Sequence, residues 1–490
     1  MTILSSRQSG VLLHITSLPG KSEQGKLDEN AWRFIDWLSD AGFSVWQTLP
    51  VGPTHADHSP YLGLSAFAGN PELISISTLL KDDALSKSWL APGLKTLNEW
   101  SLPNLKVILS SAGTQNELQS LPDGGTFLTR NRTWLQDYAQ FMTIRHAQDN
   151  KPWWEWDSAL QERDPESIRK VLYDHNTHYR AILLEQYLFE QQWLSLKNYA
   201  GEKGISLFGD MPLYVSLDSA DVWANRRFFS LDEHGQPSVV AGVPPDMFSE
   251  TGQIWGNPVY NWAALERDGF QWWVNRIRRQ HHLFDLVRID HFRALQAYWA
   301  IPGGEETAMN GEWIEAPGDP LLTQLRSSLG ELPFVAEDLG YITKEVDQLR
   351  EKHQLPCMRV LQFAFDGKDD NPHLPERYET NTAVYTGTHD NDTVISWFDD
   401  LHPEAQDFIR QKLGVTADEP ILDAMTKTVL NSNAALAILP MQDILGLGTG
   451  NRMNMPGTIE NNWLWRFSWD QLTPETTQKF KSLLSVAHRN

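Results

Sequence analysis

Three short stretches of the chain end in carboxylates. Residues 286–291 (LVRIDH) deliver Asp290, residues 334–340 (FVAEDLG) deliver Glu337 beside Asp338, and residues 383–392 (AVYTGTHDND) deliver Asp390 beside His389. Each reads as an apolar strand running into a polar turn, with an acid where the strand stops. If these strands are parallel neighbours in one barrel, the three acids meet at the mouth formed by the strand C-terminal ends, where enzyme sites are built. Two converging carboxyls suit the acid and nucleophile of a glycosidase, with the third positioning the substrate or stabilising charge.

The neighbours of each acid refine this. Side chains alternate along a strand, so Leu286, Arg288 and Asp290 share a face. A permanent cation beside Asp290 should lower its pKa and keep it ionised, as a nucleophile requires. The same pattern also fits a structural ion pair. Glu337 follows Phe334, Val335 and Ala336, and an apolar setting should raise its pKa as a general acid requires. Asp338 points to the other face, and the strand pattern alone leaves open which of the two lines the site. One of them could instead cap the following helix or make a structural contact. His389 and Asp390 offer a donor and an acceptor for substrate hydroxyls; metal binding is the rival reading of a His/Asp cluster, but no further ligand stands at a recognisable spacing. Asp210, at the end of residues 205–210 (ISLFGD), would be a fourth acid at the mouth, with Gly209 permitting close backbone approach. Most of the 21 Trp must be packing residues, but loop aromatics can stack on sugar faces. Tyr61, Phe248 and Trp255 are the candidates, each equally readable as a packed loop residue.

Eight strands are needed to hold these ends. Besides 205–210, apolar, β-branched runs fall at 10–18 (GVLLHITSL), 44–50 (SVWQTLP), 284–291, 333–339, 358–365 (MRVLQFAF), 383–389 and 435–441 (ALAILPM). Most are apolar without alternation, as in parallel sheets buried on both faces. Helical patterns lie between most of them, at 30–41, 344–352, 403–413 and 420–430, and a last helix opens at Thr473-Pro474. This reads as an α/β chain, a (β/α)₈ TIM barrel, with a doubly wound open sheet as the alternative that lacks its Gly-rich phosphate loop. Residues 51–204 read as an insertion after the second strand, mostly helical. Residues 211–283 read as a second insertion between strands three and four, with an active-site loop at 242–258. After the eighth strand about 49 residues remain, enough for a loop and closing helix but not for a C-terminal β-sandwich.

Composition bounds the partners. The hydrophobic fraction of 41% supports a sizeable core, and a net charge of −22 argues against nucleic-acid or anionic-membrane partners. No stretch has the apolar length of a membrane span or the form of a signal peptide. The single cysteine, Cys357, reads as a buried strand residue, and its solitude suits a cytoplasmic protein.

Six motifs carry a family resemblance: 65–71 (SAFAGNP), the segment 242–258, 287–292 (VRIDHF), 335–340 (VAEDLG), 387–391 (GTHDN) and 455–458 (MPGT). Together they resemble amylomaltase, the 4-α-glucanotransferase of starch and maltodextrin metabolism, over most of the chain. Two stretches depart from it: residues 55–58 (HADH), and Met247, where an aromatic would be expected beside Phe248.

The resemblance implies a barrel with inserted subdomains and no C-terminal β-domain. It implies Asp290 as nucleophile, Glu337 rather than Asp338 as acid/base, and Asp390 as transition-state stabiliser. Arg288, His291, His389, Asp210 and Tyr61 would line the donor subsites, with Asn257 and Trp255 in the neighbouring loop. The substrates implied are α-1,4-glucans and maltooligosaccharides, with no cofactor or metal, and the chain is expected as a monomer or homodimer. An amylase-type α-glucan hydrolase and a non-catalytic glycan-binding barrel are the competing readings.

Overall fold

Among the described residues the chain forms twelve strands in order: β1 (Gln8–Leu12), β2 (Val45–Gln47), β3 (Ser206–Met211), β4 (Val239–Val243), β5 (Gln253–Pro258), β6 (Leu286–Ile289), β7 (Ala297–Pro302), β8 (Glu312–Glu315), β9 (Phe334–Ala336), β10 (Cys357–Val360), β11 (Thr382–Tyr385) and β12 (Leu436–Pro440). The structure is a computed structural model that describes residues 4, 6–97, 100–112, 118–245 and 249–489.

Eight strands form one parallel sheet in the order β10-β11-β12-β1-β2-β3-β6-β9. The two ends of that sheet meet, because the Ala336 N–H at the end of β9 donates to the Pro356 carbonyl just before β10 at 2.9 Å. The sheet thus curls into a nearly closed (β/α)₈ barrel whose eight strands each overlap one of the eight runs read from the sequence, with ends reaching up to two residues beyond it at β1. All but β3 are shorter than those runs. Residues 358–365, for instance, give a strand only to Val360 and then a 3₁₀ turn at Leu361–Ala364, because an apolar run marks burial rather than extended backbone.

Alternation divides each strand between two cores. Leu12, Val45, Phe208, Leu286, Val335, Met358, Tyr385 and Ile438 fill the barrel interior. Val11, Trp46, Leu207, Val287, Phe334, Val384 and Ala437 join the larger core on the outer side. Helices expected at 30–41, 344–352, 403–413 and 420–430 appear at Glu29–Ala41, Lys344–Lys352, Pro403–Leu413 and Ile421–Asn431. The last, Pro474–Val486, is capped by Thr473, whose hydroxyl accepts from the Thr476 N–H. No helix among the described residues is long and apolar enough to cross a membrane.

Between β2 and β3 the chain builds several helices, including Leu102–Ala112, Leu135–Ala147 and the 27-residue Asn176–Glu202. The long helix is tied to the barrel wall through buried Glu190, which pairs with Arg130 and with Arg279 of the helix Gln271–Leu283.

A second, antiparallel sheet, in the order β5-β4-β7-β8, was not evident from the sequence. It is assembled from the connections after β3 and β6, so it belongs to the same barrel end as the acids. The stretch 242–258 is therefore strand at its two ends, residues 242–243 closing β4 and 253–258 forming β5, paired antiparallel. Its density of Gly and Pro hides the strand alternation, yet Gly242 is required: a Cβ there would stand 2.2 Å from the Gln253 carbonyl oxygen of the paired strand.

Candidate active site

The inward parity of the barrel strands carries straight into the polar residues at their ends. Phe208 in β3 leads to Asp210, Leu286 in β6 to Arg288 and then Asp290, Val335 in β9 to Glu337, and Tyr385 in β11 to His389. Backbone hydrogen bonds extend the sheet to these residues: the Asp290 N–H donates to Met211 O and the Glu337 N–H to Ile289 O, each at 3.0 Å. The same parity turns Asp338 out of the barrel. It accepts from the Met358 N–H at 2.7 Å and from Arg359 at 3.1 Å, and lies 3.5 Å from Arg350. Its role is to tie β9 to β10; it caps no helix, since Thr343 precedes the next one.

The remaining groups form a connected chain. Arg288 Nη1 donates to both oxygens of Asp210, at 2.9 and 2.7 Å, and its Nη2 lies 2.9 Å from Asp290 Oδ1. The Tyr61 hydroxyl donates to Asp210 Oδ2 at 2.7 Å. The Tyr61 ring stacks on His389, centroids 5.1 Å apart at 15°, and His389 Nε2 lies 3.4 Å from Asp390 Oδ1. Glu337 joins from the other side. Its Oε2 accepts from the His291 N–H at 2.6 Å and its Oε1 from the Leu339 N–H at 2.9 Å, so the carboxyl is fixed in one orientation. Trp255 of β5 packs edge-on against His291 at 4.7 Å.

Burial governs the electrostatics. It raises the Glu337 carboxyl to about 7, against the pull of Arg288 and the two backbone donors and with a further push from Asp290. This is the expected direction. For Asp290 the expectation that Arg288 would lower its pKa is overturned: burial comes first and raises it to about 6, and the neighbouring carboxylates of Asp210 and Asp390 add to the rise. Arg288 and His389 do pull downward, but the same guanidinium also serves Asp210. The Asp290 side chain keeps 29% of its surface open to the cleft, where water offsets part of that burial. Because Arg288 touches Asp290 and not Glu337, a proton shared by the two acids rests on Glu337. His291 is lowered to about 3 by burial, with Arg293 contributing, and so stays a neutral ring near pH 7.

Two buried carboxyls with raised pKa values, Glu337 and Asp290, thus share the barrel mouth with Asp210, Arg288, Tyr61 and His389. A sequence profile of the 4-alpha-glucanotransferase family matches residues 13–473. The chain belongs to that family. It is 45% identical to the 4-alpha-glucanotransferase of Synechocystis sp. over 96% of this chain and 95% of that one. It is 42% identical to the 4-alpha-glucanotransferase of Thermus thermophilus over 99% of each. Among solved structures it is similar to the amylomaltase from Streptococcus agalactiae in complex with acarbose, with a TM-score of 0.90 and 34% identity, covering 99% of this chain and 100% of that one.

Not every residue expected at this 4-alpha-glucanotransferase site joins the cluster. Asn257 is buried and its amide donates to the Val215 carbonyl at 2.9 Å, so its visible role is to hold β5 against the segment after β3. Phe248 and its neighbour Met247 lie outside the described residues. Asp392 is engaged at a helix start, accepting from the Thr393 N–H and the Ser396 hydroxyl. Among the described residues no three His, Cys, Asp or Glu side chains gather as a metal site needs.

Other site residues were not singled out in the sequence. Asn454 Nδ2 donates to Asp390 Oδ1 at 2.7 Å and Arg452 to the Asp390 carbonyl at 2.7 Å, while the Trp463 ring lies within 6.0 Å of both Tyr61 and His389. They come from the long connection after β12, where no strand end marks them. His14 and Gln47 did have a signal, since both end inward-facing strands. His14 Nδ1 lies 3.1 Å from the Thr48 hydroxyl, and Gln47 accepts from the Tyr385 hydroxyl at 2.9 Å inside the barrel.

Proposed function

We propose that this 4-α-glucanotransferase moves α-1,4-glucan segments to the 4-hydroxyl of glucose or a maltodextrin by a retaining double displacement. Glu337 protonates the glycosidic oxygen while Asp290 attacks the anomeric carbon, giving a covalent glucosyl–Asp290 ester and a released sugar. Glu337, now a carboxylate, takes the proton from the incoming 4-hydroxyl as that oxygen displaces Asp290. The observation that carries this reading is the unequal setting of the two acids, Asp290 held by Arg288 and Glu337 held only by N–H groups in a buried place.

Asp390 would stabilise the positive charge that develops on the reacting ring, and Tyr61, Asp210, Arg288 and His389 would bind the donor sugar beside it. His291 and Trp255, packed together next to Glu337, would border the same ring. The β4–β5 hairpin and the connection after β12 are candidate covers, favouring a sugar acceptor over water by excluding solvent.

Incubation with maltotriose tests the reaction. Transfer yields glucose plus a ladder of longer oligomers, hydrolysis yields glucose and maltose only, and a binding protein yields nothing. Asp290→Asn should abolish the ladder, and a ladder made by that variant would remove Asp290 as nucleophile.

A further inference from the structure

Beyond Glu337 the chain presents an aromatic ring that this mechanism does not use. Tyr341, four residues on, is 69% exposed, although Glu337 itself is only 8% exposed. Exposing a large ring forgoes the stabilisation that burial would give it. The ring is not on a loose loop. Arg293, three residues beyond Asp290, is buried and donates to the Tyr341 carbonyl at 2.8 Å. The Arg293 guanidinium lies 3.6 Å from the Trp313 ring centre on one side and 5.8 Å from the Tyr341 ring centre. Trp313 is itself anchored in β8, against Trp299 of β7 at 5.1 Å. A layer of Trp, Arg and Tyr is thus built between the nucleophile strand, the acid strand and the small sheet, with the Tyr face left to solvent.

The side of the cleft follows from the chemistry. A general acid must face the leaving oxygen, so the sugar that departs, and the acceptor that replaces it, lie on the Glu337 side. The donor side is occupied by Tyr61, Asp210, Arg288, His389 and Asp390. Depth gives the position along the acceptor: the first unit meets buried Glu337, and the exposed ring meets the chain only after it has risen to the rim. We propose that Tyr341, backed by Arg293 and Trp313, is an acceptor-side stacking platform that holds a glucosyl unit beyond the first and so favours oligosaccharide acceptors over glucose. The apolar face of a glucose ring against a rigid aromatic is the chemistry involved.

This inference rests on Glu337 being the acid/base, and the two can fail separately. Labelled glucose and labelled maltotetraose compete for one maltotriose donor, and the label distribution reads the ratio of kcat/KM for the two acceptors. Tyr341→Ala should lower the maltotetraose-to-glucose ratio roughly three- to tenfold, and Tyr341→Phe, which keeps the ring face, should restore it. An unchanged ratio in the alanine variant, or a phenylalanine variant as impaired as alanine, overturns the platform. Thermal melts matching the parent show that both variants fold. Glu337→Gln in the same assay tests the underlying reading: incorporation of either label at the parent rate would overturn the acid/base assignment, and the platform with it.

Discussion

Arg288 donates from a single nitrogen, Nη1, to both carboxylate oxygens of Asp210. Asp210 therefore competes with Asp290 for one cation, and its own charge raises the Asp290 pKa. Replacing Asp210 with Asn should leave Arg288 to Asp290 and remove a like charge. The acidic limb of the kcat/KM–pH profile should then move to lower pH, even though activity falls roughly ten- to a hundredfold for lack of a charged hydrogen-bond partner. Profiles of parent and D210N on maltotriose decide this. An acidic limb at the parent position would mean that Asp210 does not act on the nucleophile.

The parent enzyme should itself have a narrow optimum. The proposed mechanism needs Asp290 without its proton and Glu337 with one. With the acids raised to about 6 and about 7 respectively, kcat/KM should rise as pH climbs toward 6 and fall above 7. Both carboxyls hold protons more tightly in the folded protein than in the unfolded chain, so ionising them also costs stability as pH rises through those values. Glu337→Gln, which cannot ionise, should remove the alkaline limb from whatever activity remains. A parent profile that stays flat to pH 9 would refute the assignment of that limb to Glu337.

How much of this was legible depended on which side chains the barrel dictates. Continuous apolar runs mark strands buried on both faces, and their ends mark where polar groups emerge. Asp210, Arg288, Asp290, Glu337 and His389 were therefore readable as a group. The choice of Glu337 over Asp338 needs the inward parity set by Val335, which becomes visible only when the strand has neighbours. The pKa of Asp290 was misread for a related reason. Adjacency in sequence reveals the cation two residues away, but not that Asp210, 78 positions distant, shares it. The small sheet escaped notice because β7 and β8 pair with each other and β7 with β4, not with the barrel. Asn454 and Arg452 escaped because their roles come from a connection folding back over the mouth.

Asn454 holds Asp390 by its carboxylate, and Asp390 is otherwise exposed at a turn. Removing the amide with Asn454→Ala should let that carboxylate swing and weaken its grip on the developing charge. We expect kcat to fall about ten- to a hundredfold with a smaller change in KM, since the loss is felt most in the transition state. Steady-state kinetics on maltotriose separate the two. A KM increase with kcat intact would instead make Asn454 a simple substrate ligand.

The helices between β2 and β3 should depend on Glu190. Burial alone would raise its pKa, but His282, whose Nε2 lies 3.4 Å away, and the charges of Arg279 and Arg130 hold it well below the usual carboxylate range. A carboxyl held that low stabilises the fold wherever the unfolded chain would already be ionised, above about pH 4–5, and the contribution disappears as acid protonates it. Glu190→Gln should thus lower the thermal midpoint at pH 7 substantially, since it leaves Arg279, with 3% of its side chain exposed, as an unpaired buried cation. Breaking such a pair costs about 3–5 kcal/mol. The difference between parent and variant should shrink as pH falls below about 4, where the unfolded parent chain takes up a proton at Glu190 and the advantage of its ionised, paired state in the fold declines. A gap between the two melting curves that stays constant from pH 7 to pH 3 would show that Glu190 acts through packing rather than charge.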